Sequence, residues 1–257
     1  MDMNLLTAVI ITRNEERNIA RCLNSLQAVA DEVVVVDSLS TDHTREICEK
    51  FGVRFISHPW EGYIRQKNYA NSLSSNDLIL SIDADEALSE ELANSIFEIK
   101  KQNVDNKVFA MSRLMSYCGV WIRHGGWYPD RKVRIFDRRH VEWQGQKVHE
   151  TLAIPDNFEQ IQLKGDLLHY SFYTIEEHRA QIEKFAKLSA EEAIEKGRKA
   201  SFFGAYMHAV WKFLRDLFFK AGFLDGRYGW IISKVNAYGV WLKYKYIIDS
   251  KQNEDRI

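Results

Sequence analysis

Residues 78–89 read LILSIDADEALS. An apolar run enters Asp83, Ala84, Asp85 and Glu86, so a buried strand is expected to end in three carboxylates within four positions. Carboxylates this close repel one another, and the cluster requires positive charge from elsewhere. Asp-x-Asp at the end of a strand offers hard oxygen donors. Magnesium or manganese takes one or two such carboxylates and completes its shell with substrate phosphates. The plainer alternative is an acidic loop that caps the next helix.

Outward from this stretch, the first 115 residues alternate strand and helix signals. LLTAVIIT (5–12), EVVVVDS (32–38), VRFIS (53–57), DLILSID (77–83) and KVFAMSRLM (107–115) read as strands. Between them, NEERNIARCLNSLQ places Ile19, Leu23 and Leu26 at helical spacing, STDHTREICEK opens a helix, YIRQKNYANS is a short one, and Ser89 caps EELANSIFEIKK. This alternation predicts an α/β fold with a mostly parallel sheet flanked by helices. Ligands of such sheets bind beyond the carboxyl ends of the strands. That rule selects Thr12 to Asn14, Asp37, and Asp83 to Glu86. Asp37 leaves its strand placed to accept from a base N–H and has no evident capping role, whereas Ser40, Thr41 and Asp42 are good capping residues. The ITRNEE loop after the first strand lacks glycine, which disfavours a dinucleotide site.

The 257 residues are 46% hydrophobic, enough for one substantial core or a domain with an appendage. Lys plus Arg (35) nearly cancels Asp plus Glu (36), so charge gives no sign of a nucleic-acid partner. Cys22, Cys48 and Cys118 match no metal-ligand spacing and fit a reducing compartment. The chain opens as a strand, not a signal peptide. Its longest stretch without Asp, Glu, Lys or Arg is residues 200–211, against the roughly 20 apolar residues of a spanning helix. A soluble or membrane-surface protein of the cytoplasm is expected.

From 116 to 170 the chain is dense in Trp, Gly, His and Arg, the composition of an insert that holds a second substrate. Thr174 to Glu177 match a capping box, opening a helix to about Gly197. Residues 202–246 hold 14 of the chain's 32 aromatics, with seven Lys/Arg against two Asp. They predict two or three amphipathic helices broken near GFLDGRYG, with Trp211, Leu214, Leu217 and Phe218 on one stripe. Such a segment fits a membrane-surface anchor, or else a helical cover or an oligomer interface. The organisation expected is a catalytic domain over 1–172, with a nucleotide-sugar half (1–115) and an acceptor half (116–172), then a helical region over 173–257.

VIITRNEERNI, VVVVDSLSTDHT, RQKNYA and ILSIDADE, in this order, resemble the inverting family-two glycosyltransferases of the A-type fold. GGWYPDRKVRIF, WQGQKVHETL and FLRDLFFKAGFLDGRYGW resemble a subgroup that adds sugars to the inner core of lipopolysaccharide or related surface glycolipids. The resemblance implies a UDP-sugar donor, a lipid-linked saccharide acceptor and a divalent cation, at the inner face of the cytoplasmic membrane. Thr12 and Asn14 would lie beside the nucleotide, Asp37 would bind uracil or ribose, and Arg65 would approach base or phosphate, with Asn68 holding its helix in place. Asp83 would bind ribose, Asp85 would ligate the metal, and His169 would complete the metal site. Glu150 is implied as the general base, with Asp130 second. Gly125, Gly126 and Trp127 would form a loop over the donor sugar; ordinary core packing is the plainer reading of Trp127. A polyprenyl-phosphate glycosyltransferase shares the first four motifs, and a non-catalytic membrane-surface binding protein is the reading from another class.

Overall fold

The computed structural model describes residues 3–146 and 149–254; Lys147 and Val148 of the WQGQKVHETL stretch lie outside the described residues. The chain divides into two compact units, residues 1–113 with 130–170, and residues 114–129 with 171–257. Residues 116–129, read from the sequence as the start of the insert, thus group with the C-terminal helices, together with the end of the 107–115 strand.

In the first unit, β1 (Leu6–Thr12), β2 (Glu32–Asp37), β3 (Arg54–Ser57) and β4 (Leu78–Asp83) alternate with α1 (Ile19–Leu26), α2 (Thr44–Lys50) and α3 (Tyr63–Ser72). These four strands are parallel neighbours in the order β3-β2-β1-β4. The period-2 alternation of side chains along β1 divides the core. Leu6, Ala8 and Ile10 pack with α1 and with Leu92 and Ile96 of α4 (Glu90–Ile99). Val9, on the other face, packs with Ala70 of α3 and with Trp143. Both faces are therefore buried, which accounts for the near-continuous apolar runs.

The remaining strands are antiparallel. After the short β5 (Glu86–Leu88) come β6 (Lys107–Tyr117), β7 (Val120–Ile122), β8 (Asp130–Asp137), β9 (Glu142–Gln146), β10 (His149–Ala153) and β11 (Glu159–Phe172). The sheet continues from β4 as β8-β6-β11-β5. The 107–115 strand, expected to close the parallel series, is displaced from β4 by β8 and runs antiparallel to it. Beyond the main sheet, β9 and β10 form a hairpin. Gly165 lets β11 reach α4: at φ +88° a Cβ there would stand 2.3 Å from the Leu92 nitrogen. Ser89 caps α4 as expected, its Oγ accepting from Leu92 N–H at 3.2 Å and from Asp166 N–H at 3.0 Å.

The second unit is helical. The Thr174–Glu177 capping box opens α5 (Ile175–Glu195), as its spacing predicts. Next come α6 (Phe202–Leu214), a π turn over Arg215–Phe219, a 3₁₀ turn over Gly222–Asp225, and α7 (Gly226–Glu254). Gly239 of α7 admits Ile182 of α5, whose Cγ2 would lie 2.4 Å from a Cβ there. Tyr117, Phe172, Trp127 and Tyr228 form an aromatic cluster around His178. The stripe read from the sequence is divided between interior and surface: Leu217 is 2% exposed, but Trp211 is 54% and Phe218 56%.

Candidate functional site

Register brings the polar strand ends together. Thr12 of β1 stands opposite Asp37 of β2, and Ile11 opposite Asp83 of β4. Thr12 is buried, its Oγ1 without a hydrogen-bond partner. Asn14 takes a left-handed φ of 55°, which Asn tolerates better than most residues. Its N–H donates to Ser40 Oγ at 2.7 Å, and its Oδ1 accepts from Thr41 N–H at 2.8 Å, so it locks the first strand-end loop to the second. Asp37 is buried and does have a local role: its carboxylate accepts from Ser40 N–H at 2.8 Å and from the Ser40 hydroxyl.

The three carboxylates after β4 meet different partners. Arg134 Nη2 of β8 lies 2.8 Å from both Asp83 and Glu86. Glu86 is buried, accepts from Asp83 N–H at 3.0 Å, and has Arg113 Nη1 at 3.5 Å. It is a structural member of the cluster. Asp83 also has Lys67 Nζ at 3.4 Å. Burial raises the pKa of Asp83, but Arg134, Lys67 and His169 outweigh it and hold the carboxyl well below the usual range. Asp85 meets an imidazole: His169 Nε2 lies 3.0 Å from Oδ2. The ladder between β5 and β11 positions the pair, matching His169 with Glu86, and Tyr170 N–H donates to the Asp85 carbonyl at 2.9 Å.

Asp85 and His169 together present an oxygen and a nitrogen donor suited to magnesium or manganese. No group of three His, Cys, Asp or Glu suited to a metal occurs among the described residues. Further ligands for a cation here would have to come from substrate and water. Glu15, which sequence reasoning passed over, borders the same charges: burial raises its carboxyl pKa, Asn18 opposes this, and Asp85, Asp42 and Asp83 push it up further.

Lys67 was missed as well. Arg65 is exposed on α3, whereas Lys67 is 4% exposed and lies 3.4 Å from Glu150 Oε2 as well as from Asp83. Its Nζ stands 4.4 Å from the centre of the Trp143 ring, a cation–π contact. Ala70 and Asn71, three and four residues on, are buried on α3 too; that helical phase marks Lys67 and not Arg65 as the inward cation. Asn68 fastens α3 to β9 by donating to the Trp143 carbonyl at 2.8 Å and accepting from Trp143 N–H at 2.9 Å.

The structure separates the carboxylates implied as base. Asp130 Oδ2 accepts from Arg113 Nε at 2.9 Å and Nη2 at 2.7 Å, and Oδ1 has Lys132 Nζ at 3.1 Å. Burial raises its pKa, but Arg113 and Lys132 more than compensate and hold it low. Both its oxygens are engaged. Glu150 lines a cavity of about 390 Å³ with Lys67, Asp83, Arg134 and Trp143, and its buried Oε2 has no hydrogen-bond partner. Trp127 belongs to the second unit and sits in its aromatic cluster, 5.6 Å between ring centres from His178. The neighbouring Gly125 N–H donates to the Lys220 carbonyl at 2.9 Å.

Comparison with known proteins shows the family. The family described as Glycosyl transferase family 2 matches residues 7–153. An uncharacterised glycosyltransferase of Rickettsia typhi is 30% identical over 94% of this chain and 86% of its own length. LpsC of Rhizobium meliloti, a lipopolysaccharide core biosynthesis glycosyltransferase, is 30% identical over 84% of this chain and 82% of its own. The crystal structure of S. aureus TarS 1-349 aligns over 97% of this chain and 92% of its own, at 16% identity and a TM-score of 0.44.

Proposed function

The chain belongs to glycosyl transferase family 2, and from that premise we propose that it moves a sugar from a UDP-sugar to a hydroxyl of a lipid-linked saccharide such as the lipopolysaccharide core. The observation that carries this reading is the division of charge after β4. Asp83 and Glu86 are met by arginine and lysine, while Asp85 is met by the imidazole of His169. Asp85 and His169 would hold a magnesium or manganese ion, which neutralises charge on a nucleoside diphosphate when bound. Thr12, Asn14 and Asp37 would line the nucleotide, Asp83 its ribose.

Transfer is a single inverting displacement. The acceptor oxygen attacks the anomeric carbon as the bond to the UDP oxygen breaks, and Glu150 takes the hydroxyl proton. A carboxylate that lines the cavity beside Asp83, with Lys67 Nζ 3.4 Å from its Oε2, suits that task. Lys67, 3.4 Å from both carboxylates, would orient Glu150.

Membrane contact is supported by α6. Phe203 is 76% exposed, Tyr206 62% and Trp211 54%, while Lys212, Arg215 and Lys220 follow in sequence. Exposed aromatics beside cations suit the headgroup layer of an anionic bilayer. No described helix is long and apolar enough to cross a membrane. The cytoplasmic side, where nucleotide sugars are made, is the expected location.

The test is transfer from a panel of radiolabelled UDP-sugars, glucose first, to truncated lipopolysaccharide with manganese. Labelled glycolipid formed by the wild type and not by Asp85→Ala supports the reading. Binding of UDP without transfer or hydrolysis for any sugar would point to the non-catalytic alternative.

A further inference from the structure

The cavity that contains Glu150 is distinct in its lining from the candidate nucleotide site. Thr12, Asn14, Asp37, Asp85 and His169 do not line it; Asp83 alone is shared. Its occupant should therefore be the second substrate, and the wall describes that substrate's chemistry.

The wall is strongly basic, with Lys67, Arg113, Arg131, Lys132 and Arg134 against Asp83 and Glu150. Four of these cations are committed to ion pairs: Lys67 with Asp83 and Glu150, Arg113 and Lys132 with Asp130, and Arg134 with Asp83 and Glu86. Arg131 is exposed, and no carboxylate pairs with it among the described residues. Two buried donors of lining residues, Arg134 Nε and Trp143 Nε1, have no acceptor, and Glu150 Oε2 faces Lys67 Nζ at 3.4 Å. Val133, Leu152 and Ile154 supply an apolar side. The set is complementary to a molecule with an apolar ring face and a hydroxyl to donate to Glu150. The additional charge of Arg131 selects an anion, because a planar guanidinium recognises carboxylate or phosphate by paired hydrogen bonds.

We infer that this cavity binds the acceptor, that the acceptor is an acidic saccharide bearing a phosphate or carboxylate near the reacting hydroxyl, and that Arg131 reads that charge. The inference rests on Glu150 as the base and adds the acceptor's chemical class and a specificity-determining residue.

The experiment uses the full chain saturated with UDP and manganese, titrated with glucose 6-phosphate, glucuronate and methyl glucoside while ligand-observed NMR follows binding. The phosphate and carboxylate arms separate the two sources of charge. At least one acidic sugar should bind about tenfold or more tighter than the glucoside. Arg131→Gln should remove that preference with the melting temperature and UDP affinity unchanged, and Arg131→Lys should retain part of it. Equal binding of the three sugars, no measurable binding of any, or a preference that survives Arg131→Gln overturns the inference. Loss of UDP affinity in Arg131→Gln overturns it too, by assigning the cavity to the donor. Failure of the wild type to bind UDP would instead defeat the donor-site reading; the same titration without nucleotide would still report on the cavity.

Discussion

His169 Nε2 lies 3.0 Å from Asp85 Oδ2, although 84 residues separate them in the chain. The β5–β11 ladder, with the Tyr170 N–H bond to the Asp85 carbonyl beside it, brings two ligand-type side chains together. Calorimetric titration of UDP should therefore show binding that requires manganese. Asp85→Ala should weaken it about a hundredfold, ~3 kcal/mol, and His169→Ala less, since diphosphate and water can complete the shell. Manganese-independent UDP binding of wild-type strength in Asp85→Ala would detach the cluster from the donor.

Glu150→Gln keeps the shape of the cavity wall and removes the base. Turnover should fall about 10²–10⁴-fold with little change in KM. Asp130→Asn should behave differently. It leaves Arg113 and Lys132 without their partner and should lower the melting temperature more than it slows the chemical step. A reversal of these patterns would exchange the two roles.

Lys67 serves two carboxylates from a 4% exposed position. Lys67→Met should destabilise the chain by ~2 kcal/mol, less than for a fully dry pair because Asp83 and Glu150 keep some contact with water. It should also lower turnover, as Glu150 loses the side chain that orients it. Arg65→Ala should change the unfolding free energy by no more than ~0.5 kcal/mol. Urea unfolding of both variants distinguishes a structural cation from a surface one.

His178 is buried against Tyr117, Trp127 and Phe172, and burial drives its pKa down to about 4. The unfolded chain binds this proton near pH 6.5, so the stability from keeping the ring neutral is complete above that value. It is lost as pH falls towards 4. At pH 5 the loss should be ~2 kcal/mol. His178→Gln should flatten the dependence of melting temperature on pH between 7 and 5; an unchanged slope would contradict a buried neutral ring.

For the exposed face of α6, Phe203→Glu or Trp211→Glu should each remove ~1–2 kcal/mol of affinity for phosphatidylglycerol-containing vesicles. Both should leave the melting temperature in place. Sedimentation with vesicles measures the first, and a thermal melt the second. Equal sedimentation of wild type and variants would leave the face to another partner.

The parallel half of the fold was legible because buried strands write themselves as apolar runs, and the carboxylates at their ends are conspicuous against that background. The antiparallel half was not. β5 is three residues long and sits inside what reads as an acidic loop, while β11 carries Lys164, Gly165 and Asp166 mid-strand and has no clean alternation. Its pairing with β5 is a long-range fact with no local signature. The same holds for the partners of the cluster: Arg134 lies in a run with four other basic residues between 131 and 139, and only the position of β8 singles it out. Lys67 was within reach, since its spacing from Ala70 and Asn71 fixes the face it occupies.

The β5–β11 ladder also sets the order in which the protein becomes competent during synthesis. A nascent chain released as far as residue 158 already contains β1 to β4, the loops of Asn14 and Asp37, and all three carboxylates after β4. It has no His169, no β11 to hold β5 in line, and no partner for the Asp85 carbonyl. The acidic cluster therefore emerges from the ribosome before the strand that organises it, and ordering it awaits a contact of long sequence separation. Any cation or nucleotide that reaches the nascent chain meets an unfinished candidate site until the last strand of the sheet has arrived.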